Sequence, residues 1–273
     1  MNYRDFIAQR PRGCIVVVHR GIWEAAPENS LLAVDRAITG GHKVVEIDVR
    51  RTVDGELVLL HDETFARVAD LPRRPEEMTA AEVRRLRLRN RDGGSTNIMT
   101  AEHPPTLDEL FELTRGRIFI HLDVKERSVI PEVVARVKAM GVAQEVDFWG
   151  NFTTPDDLAW ARESIKPHDI LFMPKIQLKA QNAAEQIEMA VDYGSPVCEI
   201  VYETLADIEA LRELLDRRGI SIWCNTLDGV ACGGFTDTAA LRDPDRIWGR
   251  LIGAGVSIIQ TDLAGRLEDF VRD

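Results

Sequence analysis

No stretch of the 273-residue chain holds the roughly 18 uninterrupted apolar residues that a membrane-crossing helix needs. Positive charge is in deficit: 34 Lys and Arg stand against 45 Asp and Glu, for a net charge of −11. Such a balance argues against non-specific binding to nucleic acid or anionic membranes, which recruit basic surfaces. It leaves an anionic ligand open, because a bound divalent cation and a few local Lys or Arg set the field inside a cleft. Cysteines number only four, Cys14, Cys198, Cys224 and Cys232, and no pair has zinc-ligand spacing. Buried, reduced thiols and a cytoplasmic location are expected. Met1-Asn2-Tyr3-Arg4-Asp5-Phe6 lacks an apolar run, so neither a signal peptide nor a lipid anchor is expected.

What is present is an ordinary apolar fraction of 45%, enough for a sizeable core. Short β-rich runs alternate with amphipathic helical segments, the pattern of a parallel α/β sheet. Strands are expected at 14–19, 43–49, 117–124, 145–150, 169–173, 197–201, 219–224 and 256–261. Thr106-Leu107-Asp108-Glu109 reads as a capping box, and Pro131 and Pro155 suit first-turn positions. Gly40-Gly41, Gly141, Gly194 and Arg217-Arg218-Gly219 read as helix stops. Eight βα units in about 250 residues fit a (β/α)8 TIM barrel spanning 1–273 as a single domain. A doubly wound open sheet is the alternative.

The segment from Glu46 to His61 has no helix; Thr52-Val53-Asp54-Gly55-Glu56 reads as a hairpin after the second strand. With Asp54-Gly55 as a two-residue turn, Val53 pairs with Glu56 and Asp48 lies opposite His61; a bulge would shift this by one. Residues 62–105 are irregular and rich in Pro and Gly, with one basic helical piece around 79–91. An insertion this long is read as a small cap beside the active-site mouth.

Glu46 and Asp48, two apart on an apolar strand, point to one face. Carboxylates buried there must be paired, for instance by Arg50 or Lys43, or must bind a metal. Asp123 and Lys125 share a face at the end of the third strand, where catalytic residues of barrels collect. Glu46, Asp48 and Asp123 together make an all-oxygen site for one divalent cation, Mg²⁺ or Ca²⁺ (Mn²⁺ also fits) rather than Zn²⁺. Lys125 would then face a phosphate, and His121, one step deeper, is read as a core or supporting histidine. His19 ends the first strand and His61 follows the hairpin. Histidine, with an ordinary pKa of about 6.5, serves as base or acid near neutrality. Phosphodiester cleavage needs one of each. Arg20 offers a cationic fork for phosphate oxygens, or an ion pair to Glu28 or Asp48.

His19-Arg20-Gly21, Pro27-Glu28-Asn29-Ser30, Glu46-Ile47-Asp48-Val49, Thr52-Val53-Asp54-Gly55 and His61-Asp62 occur in that order. Pro105-Thr106-Leu107, Asp123-Val124-Lys125, Trp223-Cys224-Asn225 and Gly255 through Thr261-Asp262 follow. The series resembles the glycerophosphodiester phosphodiesterase family. Asp123 departs from it, standing where the family has Glu. The resemblance implies a barrel enzyme with Glu46, Asp48 and Asp123 as metal ligands and His19 and His61 as the acid/base pair. Arg20, Glu28 and Lys125 would hold or polarise the phosphate, and Trp223 and Asn225 would join the substrate-binding residues. It implies that a substrate hydroxyl attacks phosphorus, giving a cyclic phosphate that water then opens. The shorter Asp123 would bind through water or enlarge the site.

Segment 126–218 carries no family motif; Asn151, Lys175 and Glu199 are its candidates for substrate choice. The leading reading is hydrolysis of a small-molecule glycerophosphodiester to an alcohol and glycerol phosphate. Others are a phosphodiesterase for a different diester such as a sugar phosphodiester, a metal-dependent sugar isomerase or aldolase, and a non-catalytic binding barrel. No oligomeric state is implied.

Overall fold

The computed structural model describes residues 1–9 and 13–272. The chain divides into two compact units, Val18–Val146 and a second made of Met1–Val17 with the residues from Asp147 onward. All eight expected strands are present, as β1 (Ile15–His19), β2 (Val44–Arg51), β4 (Phe119–Val124), β5 (Val146–Asn151), β6 (Leu171–Gln177), β7 (Val197–Val201), β8 (Ser221–Asn225) and β9 (Val256–Thr261). A ninth, β3 (Leu57–Leu59), is the return arm of the hairpin.

Within Val18–Val146, β2 pairs in parallel with β4 and antiparallel with β3. In the other unit β5 to β9 pair in parallel in chain order. β2 is buried along almost its whole length, as a strand covered on both faces requires, which explains its Val/Ile content. Helix Leu107–Thr114 starts where the capping box lies: Thr106 Oγ1 accepts from Glu109 N at 3.2 Å, and Glu109 accepts from Thr106 N at 2.8 Å. Pro131 and Pro155 sit in the first turns of Ile130–Met140 and Pro155–Ser164. No helix among the described residues is long and apolar enough to cross a membrane. Cys14, Cys198 and Cys224 are buried and Cys232 is half-buried. Burial, with Glu199 nearby, pushes the Cys198 thiol up to about 12, far from a reactive thiolate.

Two expectations need correction. The hairpin pairs Arg51 with Leu57 and Val49 with Leu59, one residue off the expected register. Its turn has three residues, not two: Thr52 N donates to Glu56 O at 2.8 Å, and Glu56 N donates to Thr52 Oγ1 at 2.9 Å. Gly55, at φ 87°, makes the left-handed step that closes this longer turn. Asp48 therefore faces Leu60, whose N donates to Asp48 O, and not His61. The helix expected around 79–91 spans only Ala80–Val83. Beyond it Leu86-Arg87-Leu88-Arg89 alternates with period two and runs extended: Leu88 N donates to Glu102 O and Arg89 N to Val68 O. Leu88 thereby joins Val58, Leu60, Phe65, Val68, Met78 and Val83 in a small core that braces the segment after His61.

Candidate functional site

The parallel register of β2 and β4 sets Asp48 beside Asp123 and Glu46 beside His121. Since i and i+2 share a strand face, Glu46, Asp48 and Asp123 converge, with one oxygen of each lying within 4.8 Å of the others. Glu46 and Asp48 are 3% and 1% exposed. Two cations answer the three carboxylates. Lys125 Nζ lies 2.5 Å from Asp48 Oδ1 and 2.6 Å from Asp123 Oδ2, and Arg20 Nε lies 3.1 Å from Asp48 Oδ2. Arg50 turns away to the His61 carbonyl, so it does not hold the acidic pair. Burial pushes the Asp48 carboxyl up, but Lys125 and Arg20 outweigh it and hold it well below the usual range. Glu46 goes the other way: burial, then the Asp48 and Asp123 charges, drive it well above the usual value against Arg20 and Lys125. The cluster is thus short of positive charge, and its all-oxygen donors fit a hard divalent cation.

The motifs around it have local physical reasons. Arg20 takes a left-handed φ of 55° immediately after β1, and its N donates to Glu46 O at 3.0 Å. Gly21 follows at φ 85°, where an added Cβ would stand 2.7 Å from the Ala33 backbone, so only glycine lets the chain pass helix Leu31–Thr39. In Pro27-Glu28-Asn29-Ser30, Ser30 Oγ caps that helix by accepting from Ala33 N at 3.1 Å. Asn29 turns back, its Nδ2 donating to Asp48 Oδ2 at 2.7 Å while its Oδ1 accepts from Asp48 N at 3.1 Å. Glu28, buried, accepts from Arg20 Nη1 at 3.2 Å.

His19 Nε2 stands 3.8 Å from Glu46 Oε2. His61 Nδ1 lies 2.8 Å from Asp62 Oδ1. Arg67 joins this side to Glu28 and, through it, to Arg20. Its Nη2 and Nη1 bond Glu28 Oε1 and Oε2 at 2.6 and 2.9 Å, while Nε and Nη2 bond Asp62 Oδ2 and Oδ1, both at 2.8 Å. Burial works against the Asp62 carboxylate, yet its bonds from His61 and Arg67 hold it well below the usual range.

The other expected residues lie in the other unit. Lys175, Glu199 and Trp223 align in register across β6, β7 and β8. Lys175 Nζ is 2.8 Å from Glu199 Oε1 and 4.9 Å from the Trp149 ring centroid. Asn225 Nδ2 donates to Glu199 Oε1 at 3.1 Å and Asn225 Oδ1 accepts from Trp223 Nε1 at 2.9 Å. Trp223 is buried and Asn151 is exposed. Sequence reasoning missed Asn29, Asp62 and Arg67 as site residues. Asn29 and Asp62 stood inside quoted motifs; Arg67 lay in the irregular segment with no local signal.

Residues 19–182 match the Glycerophosphoryl diester phosphodiesterase family, and residues 172–271 match a domain of unknown function. The chain belongs to the glycerophosphoryl diester phosphodiesterase family. A glycerophosphodiester phosphodiesterase of Caldanaerobacter subterraneus is 33% identical over 117 residues, 42% of this chain and 47% of that protein. The match thus spans about half of that relative's length. A glycerophosphoryl diester phosphodiesterase from Parabacteroides distasonis superposes with a TM-score of 0.79 at 21% identity, covering 98% of this chain and 91% of that one. A phosphodiesterase from Oleispira antarctica, solved with the product sn-glycerol-3-phosphate, gives a TM-score of 0.69 at 20% identity, covering 96% and 98%. The fold is the expected (β/α)8 barrel with a hairpin after its second strand, and the doubly wound alternative is set aside.

Proposed function

We propose that the protein is a metal-dependent phosphodiesterase that hydrolyses a glycerophosphodiester to an alcohol and glycerol phosphate. The observation that carries this is the convergence of Glu46, Asp48 and Asp123, with His19 set against Glu46 and Arg20 against Asp48. Family membership supports it, as does the product held by the Oleispira antarctica phosphodiesterase. Glu46, Asp48 and Asp123 would hold one Mg²⁺, Ca²⁺ or Mn²⁺. Bound there, a divalent cation would draw charge from a phosphate oxygen and offset the negative charge that builds during attack.

The chain's own groups do the rest. Arg20 and Lys125, both half-buried among carboxylates, hold the phosphate oxygens, and Glu28 fixes the Arg20 fork. One of His19 and His61 takes the proton from a substrate hydroxyl next to the ester as that oxygen attacks phosphorus. The other gives a proton to the departing alcohol oxygen, leaving a cyclic phosphate. Water then opens the ring with the two roles exchanged. Proximity of a hydroxyl within the substrate can supply up to about 7–11 kcal/mol of the barrier.

The test uses metal-stripped protein, a panel of glycerophosphodiesters and sugar phosphodiesters, and Mg²⁺, Ca²⁺ or Mn²⁺ added separately, followed by phosphorus NMR. Turnover should require the cation, favour glycerophosphodiesters and fail on analogues with hydrogen in place of the adjacent hydroxyl. Undiminished turnover in excess chelator overturns the metal assignment. Equal rates with and without the hydroxyl overturn the cyclic route.

A further inference from the structure

We propose that Arg67 is a positioning residue: its guanidinium, bonded to Glu28 on one edge and Asp62 on the other, fixes the orientation of His61 and of Arg20 from within the segment that follows the hairpin. This rests on the functional reading above and deepens it. A planar guanidinium has five N–H donors in a rigid fork, and here four contacts use it on two carboxylates at once. Each carboxylate then reaches one proposed working group: Asp62 Oδ1 meets His61 Nδ1 at 2.8 Å, and Glu28 Oε1 meets Arg20 Nη1 at 3.2 Å. An ionised carboxylate only accepts, so the neutral His61 ring carries its proton on Nδ1 and keeps the lone pair on Nε2. Around His61 the charged groups are Asp62 and Arg67, Arg50 on its backbone carbonyl with Glu76 behind it, and Asp48. Among these it is the Asp62–Arg67 pair that bears on the ring nitrogen.

The mount of Arg67 is built into the fold. It sits on helix Ala66–Ala69 beside Val68 and Phe65 of the small core. Its guanidinium also donates to the Asp92 carbonyl, and its own carbonyl accepts from Gly94 N at 2.7 Å. Gly93 is at φ 76°, and a Cβ there would come 2.6 Å from the Arg67 carbonyl oxygen. A single methyl at position 93 would therefore push the mount without touching a reacting group.

The experiment compares R67M, R67K and G93A with the wild type in two readouts. The first is the nitrogen NMR spectrum of the His61 ring in ¹⁵N-histidine-labelled protein without substrate, at a pH where the ring is neutral, assigned by H61Q. Wild type should show the Nδ1–H tautomer, and R67M should revert toward the Nε2–H form that free imidazole side chains favour. The second is steady-state kinetics on the diester that the wild type turns over best. R67M should lose about 10²-fold in kcat, the scale of a misplacement near 1 Å, with a smaller rise in KM from the loosened Arg20. R67K keeps the charge but not the fork, and should lose nearly as much. G93A should move both readouts the same way by less. Ethylguanidinium added to R67A should recover part of the lost kcat. A wild-type tautomer together with wild-type kcat in R67M overturns the inference, and full recovery in R67K reduces Arg67 to a charge and overturns it too. Should the wild type hydrolyse no diester while the tautomer still follows Arg67, the functional reading fails and the positioning role stands.

Discussion

Asp48 and Asp237 are buried aspartates, one in each unit, and their partners differ in kind. Asp237 is met by neutral donors: Thr226 Oγ1 at 2.6 Å, Thr261 Oγ1 at 2.7 Å and the Asp262 N–H at 2.8 Å. Burial nevertheless pushes its carboxyl up, with those three bonds pulling the other way. The set ties the ends of β8 and β9 to helix Asp237–Ala240 and has the economy of a structural staple. Asp48 is met by Arg20 and Lys125, with Asn29 completing its bonds, and it stands beside two further carboxylates. A staple needs no ionic partner and no surplus of like charge. Burying two carboxylates beside a half-buried third is costly unless cations converge on them, so this arrangement points to chemistry.

The comparison breaks first at the histidines. His19→Ala and His61→Ala should each lower kcat by about 10²–10⁴-fold, the usual range for a general acid or base, with cation affinity little changed. Turnover with and without each imidazole, at saturating cation, checks this. Near wild-type kcat in either variant would remove that residue from the acid/base pair and leave the acidic cluster without its chemical partner.

Asp237→Ala should do the opposite. It leaves the Thr261 hydroxyl and the Asp262 N–H without their acceptor and Thr226 Oγ1 with only the Gln260 carbonyl at 3.3 Å, at about 1–3 kcal/mol of folding stability. The kcat per folded molecule should not change. Denaturant midpoints read the first and active-site-normalised kinetics the second. A large kcat loss at full folding would show that Asp237 is more than a staple.

These contrasts also explain what the sequence discloses. Strands were legible because β2 and its parallel fellows are apolar runs between glycine and proline breaks. The acidic cluster was legible because Glu46, Asp48 and Asp123 each interrupt such a run, two of them at the period-two spacing that fixes a common face. The hairpin register was not, because Thr52-Asp54-Gly55 admits both a two- and a three-residue turn, and the Thr52 hydroxyl that decides between them acts through hydrogen bonds to Asp54 and Glu56. Arg67 was not legible for a different reason. It reaches Glu28, 39 positions away in the chain, and only the folded path of the small core brings the two together. Lys175 and Glu199 were found as strand-end charges, but their pairing follows from a β6–β7 register that no motif marks.

The smallest expected effect concerns acid. Asp62 is held below the usual carboxylate range in the folded protein by its bonds from His61 and Arg67, against the effect of burial. A depressed carboxyl favours the folded state above its unfolded value of about 3.9, and that contribution is lost as pH falls through the folded value. D62N removes the ionisable group while keeping an oxygen that can accept from His61. The stability gap between wild type and D62N should be widest near neutrality and close as pH drops below about 4. Because the Arg67–Asp62 pair is partly exposed, with 31% and 27% of the side chains accessible, screening limits the gap to about 1 kcal/mol or less. Denaturant midpoints of both proteins across the acid range measure it, at fixed ionic strength and without added cation. A gap that stays constant with pH would mean that the ion pair to Arg67 contributes geometry alone, and that the segment after His61 is held to Glu28 rather than to Asp62.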